Sequence, residues 1–384
     1  MKILVYDFGY TISDILDSFK QLGITYRIFS YYFENKNDDD FFIHRFSKTI
    51  NDDKYDAVFS VNYFPLIAEC AYQNNLKYIS WSYDNPLNVN KIEETLSYPT
   101  NYIFFFDKIQ ANHYAGLGFE HIYHLPLAAN INRLNQIQLS ASDHAKYDTD
   151  ISFVGKLYDS DYGFLLKIMN DYQRGFIEGL VNVQQNLYGS YLLDDIITDD
   201  FISKINGYIK KSNPDSTFAL TKSALTYAMS ANITRNERLM ILGILSRHHK
   251  LKLYSREEHE ILKNAQFMGS CGYINEMPRI FKASKINLNI TLKILQSGIP
   301  LRAIDIMGSG GFLLSNYQPE LAEFFTDGID VAMYDSIEDA IAKADYYLKH
   351  DDERNKIATL AHAKVAEYFN YKSRIKDMFE TAGI

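Results

Sequence analysis

Arg302 and Asp305 stand three residues apart in the stretch LQSGIPLRAIDIMGSGGFLLSNYQPE, residues 295–320. On a helix that spacing places both side chains on one face. Just before them, SGIP (297–300) reads as a turn, with Pro300 in the first turn of the helix that follows. The amides of Gly298 and Ile299, together with the positive end of that helix, make an anion site. Arg302 would oppose the helix dipole there unless an anion is bound, and a guanidinium grips a phosphate through two parallel hydrogen bonds. Asp305 would then accept from vicinal hydroxyls. A plain surface pair between Arg302 and Asp305, with glycines that merely end a helix, fits the same residues.

A second cation stands at the end of another apolar run. FVGKL (153–157) is a strand pattern that runs into Gly155 and Lys156. Ligands of open α/β sheets bind at the carboxyl ends of strands, so Lys156 is placed to meet a diphosphate beside Arg302. An ordinary exposed lysine is the competing reading. Tyr254, in KLKLYS (250–255), and Asn289, in KINLNI (285–290), complete the set of candidate binding residues.

Three carboxylates end strand patterns in the first part of the chain: Asp7 in VYDFGY, Asp84 in SWSYDNP and Asp107 in FFFDK. Any of them would serve as a general base, and Asp84 is the choice, since it follows the strand end of Trp81 in a loop closed by Pro86. Capping a turn beside Asn85 and Pro86 is the other role open to it. The triplets Asp148-Thr-Asp150 and Asp159-Ser-Asp161 have the spacing of a divalent-metal motif, but loop acids are usually just solvated, and no metal is expected. His121 and His124 fall on opposite faces of a strand, and His248-His249 end a helix, where a cation suits the dipole. GSGGF (308–312) is no dinucleotide fingerprint: Leu313 replaces the third glycine, and the segment leaves a helix to enter a strand. Glu320, after Pro319, is expected to cap the next helix, with a donor contact as its other role.

The elements that must carry these residues alternate. KILVY (2–6), TYRIFS (25–30), YDAVFS (55–60), KYISW (77–81), NYIFFF (101–106) and HIYHLP (121–126) read as strands. Helical stretches lie between them, such as TISDILDSFKQLG, with Thr11 as its cap and a glycine at its close. This is the pattern of a parallel sheet covered on both faces. Residues 1–128 form one such Rossmann-like domain, and the polar, weakly periodic residues 129–149 read as a linker. A second α/β domain spans 150–365, with strands at 150–158, 250–255, 285–290, 311–316 and 330–334 and a helical insertion at about 162–248, interrupted near KKSNPDS. The tail from Ser336 reads as three helices, of which 366–384 is free to pack back on the first domain.

Composition narrows the function classes. The chain has 384 residues, 47% hydrophobic and 23% charged, the profile of a globular protein too long for one core. A net charge of −9 without a basic run argues against a nucleic-acid protein. The 30 Tyr and 25 Phe are mostly assigned to the interior. Two cysteines without a motif, Cys70 and Cys271, suit a reducing compartment. No apolar run reaches the length of a signal peptide or membrane span, so a cytoplasmic location is expected.

Three stretches carry a family resemblance: SFVGKL; LNITLKILQSGIPLRAIDIMGSGGFLLSNYQPELAEFF; and the series SVNYFPLIAE, KYISWSYDNPL, NYIFFFDK and YHLPLA. Over nearly the whole chain this resembles the CgeB-like (spore maturation protein) glycosyltransferases, which are similar to the GT-B enzymes with a group 1-like C-terminal domain. The resemblance implies two Rossmann-like domains, a nucleotide-sugar donor (UDP is the expected nucleotide) bound mainly by the C-terminal one, and a saccharide or protein acceptor on the N-terminal side, as in the making of bacterial surface glycans. It implies no metal or other cofactor. Lys156 takes the place of a basic residue on the diphosphate, Asp305 that of a glutamate on the ribose, and Gly298 and Ile299 supply amides to the distal phosphate and sugar. One departure stands out. Related enzymes often carry a glutamate eight residues before the ribose carboxylate, and Ser297 stands there. The donor sugar and the stereochemical outcome are left open. A non-catalytic nucleotide-sugar-binding partner of another transferase is the competing function.

Overall fold

All six strand patterns of the first part form, and they form one sheet. The computed structural model describes residues 1–7, 12–33, 35–87, 89 and 92–384; the Thr11 cap lies outside the described residues. In chain order the first strands are β1 (Lys2–Asp7), β2 (Thr25–Ser30), β3 (Ala57–Val61), β4 (Lys77–Trp81), β5 (Asn101–Phe105) and β6 (Ile122–His124). They pair parallel in the order β2-β1-β3-β4-β5-β6. Every residue of β3 is buried, which is why parallel strands read as continuous apolar runs. Helices α1 (Ile12–Gln21), α2 (Asp40–Asn51), α3 (Pro65–Gln73), α4 (Ile92–Leu96), α5 (Lys108–Gly116) and α6 (Ile131–Gln136) alternate with them. Tyr6, Phe33, Phe42 and Phe64 pack ring to ring, with Phe33 and Phe42 centroids 4.5 Å apart, so much of the aromatic content is indeed core.

The second sheet holds β7 (Thr149–Val154), β8 (Leu251–Tyr254), β9 (Gln266–Phe267), β10 (Ser284–Asn289), β11 (Leu313–Asn316) and β12 (Ala332–Tyr334), parallel in the order β12-β11-β10-β7-β8-β9. The two-residue edge strand β9 is exposed and has no sequence pattern long enough to announce it. Residues 129–149, read as a linker, contain α6 and α7 (Ala141–Tyr147); each is too short to show a helical period, though Ser140 and Asp143 close a capping box on α7. The insertion is helical as expected: α8 (Tyr162–Lys167), α9 (Asp171–Gln184), α10 (Leu193–Ile196), α11 (Asp199–Ser212) and α12 (Lys222–His248). Asn170, Thr198 and Thr221 cap α9, α11 and α12 through their side chains. The 27-residue α12 buries residues around most of its circumference, so it shows no single apolar face. Helices α13 (Met277–Ala283), α14 (Leu301–Gly308), α15 (Pro319–Phe324), α16 (Ile337–Tyr347), α17 (Asp351–Tyr368) and α18 (Tyr371–Thr381) complete the chain.

By internal contacts the chain forms two compact units. The first is Met1–Gln136 with Ser297–Gly308 and His362–Ile384, and thus includes α14 and α18. There Phe379 of α18 meets Phe19 of α1 at 5.5 Å between rings. The second is Ile137–Gln296 with Ser309–Ala361. Among the described residues no helix is long and apolar enough to cross a membrane.

Candidate functional site

The candidate residues divide between the units: Asp84, Gly298, Ile299, Arg302 and Asp305 fall in the first, and Gly155, Lys156, Tyr254 and Asn289 in the second. In the turn before α14, read from the sequence as a phosphate site, the Gly298 amide is already taken by a carboxylate of the chain. Asp107 is fully buried; its Oδ2 accepts the N–H groups of Ser297 at 3.1 Å and Gly298 at 3.0 Å, and its Oδ1 the Ser297 hydroxyl at 2.9 Å. The same carboxylate caps α5 by accepting from Gln110 N. Ser297 Oγ in turn accepts the amide of Ile109. Gly298 has to be glycine, because a Cβ would stand 2.9 Å from the Phe106 ring and 3.1 Å from Asp107 Cα.

Arg302 is half-buried in the first turn of α14, Ile299 is fully buried, and Asp305 is only 5% exposed. Asp305 lies in the electrostatic reach of Tyr83. That phenol is pushed well above its ordinary range, first by burial, then by Tyr371, whose hydroxyl it meets at 3.0 Å, and further by Asp14 and Asp305. Arg133 answers Asp14 with two parallel hydrogen bonds of 2.8 Å. Asp84 is exposed, and Asn62 orients it: Asn62 Nδ2 donates to Asp84 Oδ2 at 2.7 Å, while its Oδ1 accepts the amides of Tyr83 and Asp84. Asn62 holds φ at +63°, a conformation in which asparagine is one of the few comfortable side chains. Asp7 receives a long 3.4 Å contact from Ser30 Oγ.

At the carboxyl edge of the second sheet, Gly155 donates to Tyr254 O at 3.0 Å and extends the β7–β8 ladder, and Lys156 projects to solvent. Asn289 is buried, with Nδ2 donating to Ser315 Oγ at 2.9 Å and Thr291 Oγ1 at 3.0 Å. The Tyr254 hydroxyl is buried, with no hydrogen-bond partner among the described residues. The residue that organises this edge is Arg238 of α12, which the sequence conceals as one more charge on a long helix. Its guanidinium donates to Ile290 O after β10 and to Lys156 O after β7, and it stacks on Phe153 and Tyr158 with ring centroids at 5.0 and 4.6 Å. Its neighbour Glu237 is buried, and accepts the phenols of Tyr188 at 3.0 Å and Tyr334 at 3.1 Å.

The remaining sequence candidates have structural employment. Asp148 pairs with His144, Asp150 with Lys285, and Asp159 with Arg235. His249 meets Asp345 at 2.6 Å beyond the end of α12. Glu320 is no cap: Gln318 holds that position, and Glu320 lies fully buried in the first turn of α15.

The architecture has known counterparts. A glycosyltransferase from Rickettsia africae ESF-5 aligns over 99% of this chain and 98% of its own, with a TM-score of 0.56 at 11% identity. Sucrose-phosphate synthase from Thermosynechococcus elongatus does so over 99% and 98%, at 0.58 and 10%. Anabaena HepE in complex with UDP-glucose covers 100% and 99%, at 0.55 and 10%. The fold is GT-B. Residues 231–380 also match the family described as Glycosyl transferase-like. No curated protein matches the chain. On this GT-B chain the family segment takes in Glu237, Arg238, Tyr254, Asn289, Arg302 and Asp305, whereas Asp84, Gly155 and Lys156 precede it.

Proposed function

We propose that the chain is a metal-independent glycosyltransferase of the CgeB-like kind, moving a hexosyl group from a UDP-sugar to a hydroxyl of a saccharide or protein acceptor. One observation carries the reading: the segment that matches a glycosyl transferase-like family includes Arg238, which ties the carboxyl ends of β7 and β10 together on a GT-B fold. UDP is the nucleotide of choice because HepE, of the same fold, holds UDP-glucose. Lys156 and Arg302 would offset the charge of the departing diphosphate, the main electrostatic demand of the reaction. Asp305 would accept from the ribose hydroxyls, Gly155, Tyr254 and Asn289 would shape the donor edge, and Ile299 would lend its amide. The Gly298 amide already has an acceptor in Asp107, so its part is to hold the turn. If the reaction inverts the anomeric carbon, Asp84 is the base, preset by Asn62. If it retains configuration, no protein base is needed.

The test is thermal denaturation against nucleoside diphosphates and nucleotide sugars, with and without chelator, on wild type and Arg302→Ala. A bound donor raises Tm by mass action. A chelator-insensitive rise with UDP and UDP-sugars that Arg302→Ala loses is the expected result, followed by release of UDP when acceptor is added. No rise with any member of the panel defeats the donor reading.

A further inference from the structure

The order of strands in the second sheet reverses between the parallel neighbours β7 and β10: β8 and β9 continue to one side, β11 and β12 to the other. Ligands of such sheets settle at this switch point, beyond the carboxyl ends. Arg238 marks it, bonded to Lys156 O on the β7 side and Ile290 O on the β10 side. The next residue, Thr291, already lines a small pocket at the ends of β10 and β11. A donor whose diphosphate lies beside Lys156 therefore has this pocket within reach of its sugar.

The helical insertion contributes to that pocket. Leu187–Tyr191, between α9 and α10, lines it; Gly189 holds φ at +74°, and a Cβ on it would stand 2.6 Å from the Tyr317 ring. Lys293 N donates to Thr234 Oγ1 of α12 at 2.9 Å, and Gln296 Nε2 reaches Asp194 of α10 at 3.3 Å. Lys293 itself lines the pocket with its Nζ 4.1 Å from the centre of the Tyr188 ring. Among the described residues no oxygen accepts a hydrogen bond from that ammonium. Glu237 attracts it from nearby, yet its Oε1 serves the two phenols. Burial pulls the Lys293 pKa down, with Glu237 opposing the shift. A half-buried ammonium over a ring, lacking an acceptor, is a place for a ligand oxygen anion. The other polar groups lining the pocket, among them Ser190, Gln296 and Gln318, are neutral. One positive charge matches a carboxylate better than a dianionic phosphate.

We propose that this pocket receives the carboxylate of the donor sugar on Lys293, so that the group transferred is a uronic acid. The inference rests on the donor reading above and names its substrate class. Calorimetric titration with UDP, UDP-glucose and UDP-glucuronic acid, on wild type and Lys293→Met, tests it. Wild type should bind UDP-glucuronic acid at least tenfold more tightly than UDP-glucose. Lys293→Met should abolish that preference and keep its affinity for UDP, which also shows that the variant is folded; Lys293→Arg should restore part of the preference. Equal binding of the two sugars by wild type overturns the inference and leaves the donor site standing. Loss of UDP binding in Lys293→Met, with the fold intact by circular dichroism, also overturns it, since Lys293 would then serve the diphosphate. If wild type binds none of the three, both readings fall together.

Discussion

Asp107 Oδ2 accepts the amide of Gly298 at 3.0 Å across 191 positions of sequence. The carboxylate is fully buried and caps α5 while it fastens the turn that starts α14. The helix bearing Arg302 and Asp305 is thus anchored to the end of β5. A buried carboxylate with several amide donors is a stable arrangement only while all its partners are present.

Asp107→Ala removes the acceptor of two buried amides, those of Ser297 and Gly298, and of the part-buried amide of Gln110. Each buried donor left without a partner costs about 1–3 kcal/mol, so a loss of about 3 kcal/mol or more is expected from urea denaturation. The variant should also bind UDP more weakly, because Arg302 and Asp305 lose their mount. A midpoint within experimental error of wild type would show that the turn is held by its packing alone.

Glu237 should make stability fall as pH rises. Burial raises its pKa above the ordinary 4.5, against the opposing pull of Lys293, the two phenols and Arg238. The folded chain then holds this proton more tightly than the unfolded chain. The contribution is complete below about pH 4.3 and is lost as pH climbs through the folded pKa. Glu237→Gln keeps the shape and does not titrate. Its Tm relative to wild type should therefore climb from about pH 4.3 upward and then level off. A difference that stays flat with pH would refute the assignment.

The two thiols should differ sharply in reactivity. Cys70 is fully buried, and that burial pushes its pKa up to about 11, whereas Cys271 is half-exposed; neither is in a disulfide. Thiolate is the reacting species. An aromatic disulfide reagent at pH 8 should titrate one thiol in the native protein and both in guanidinium. Two fast thiols in the native state would contradict the burial of α3 against the first sheet.

The strands were legible because burial on both faces leaves a continuous apolar run, as in AVFSV of β3 and the ISFV portion of β7. Short elements were not. Helices α6 and α7 span fewer than two full turns each, and β9 only two residues, so no period can develop. In the candidate site, the helix start behind residues 297–300 is legible, since glycine and proline are local features, whereas the hold of Asp107 on the Gly298 amide is not. Glu320 was misread, because its place one residue inside α15 depends on where the helix begins.

What the sequence alone determined is the alternation of strands and helices, the helical insertion, the three helices of the tail, the loop at the strand end where Lys156 stands and the helix start that carries Arg302 and Asp305. These follow from rules that act over a few residues: side-chain period, caps and backbone freedom. What only the tertiary structure decided is who faces whom. Asp107 and Gly298 sit 191 positions apart, Arg238 and Lys156 82 apart, and Tyr188 and Glu237 49 apart. A carboxylate looks the same in a sequence whether it will face water, a phenol or an amide. The course of the chain between the two partners settles which, because only folding removes water from a group and leaves one partner in its place.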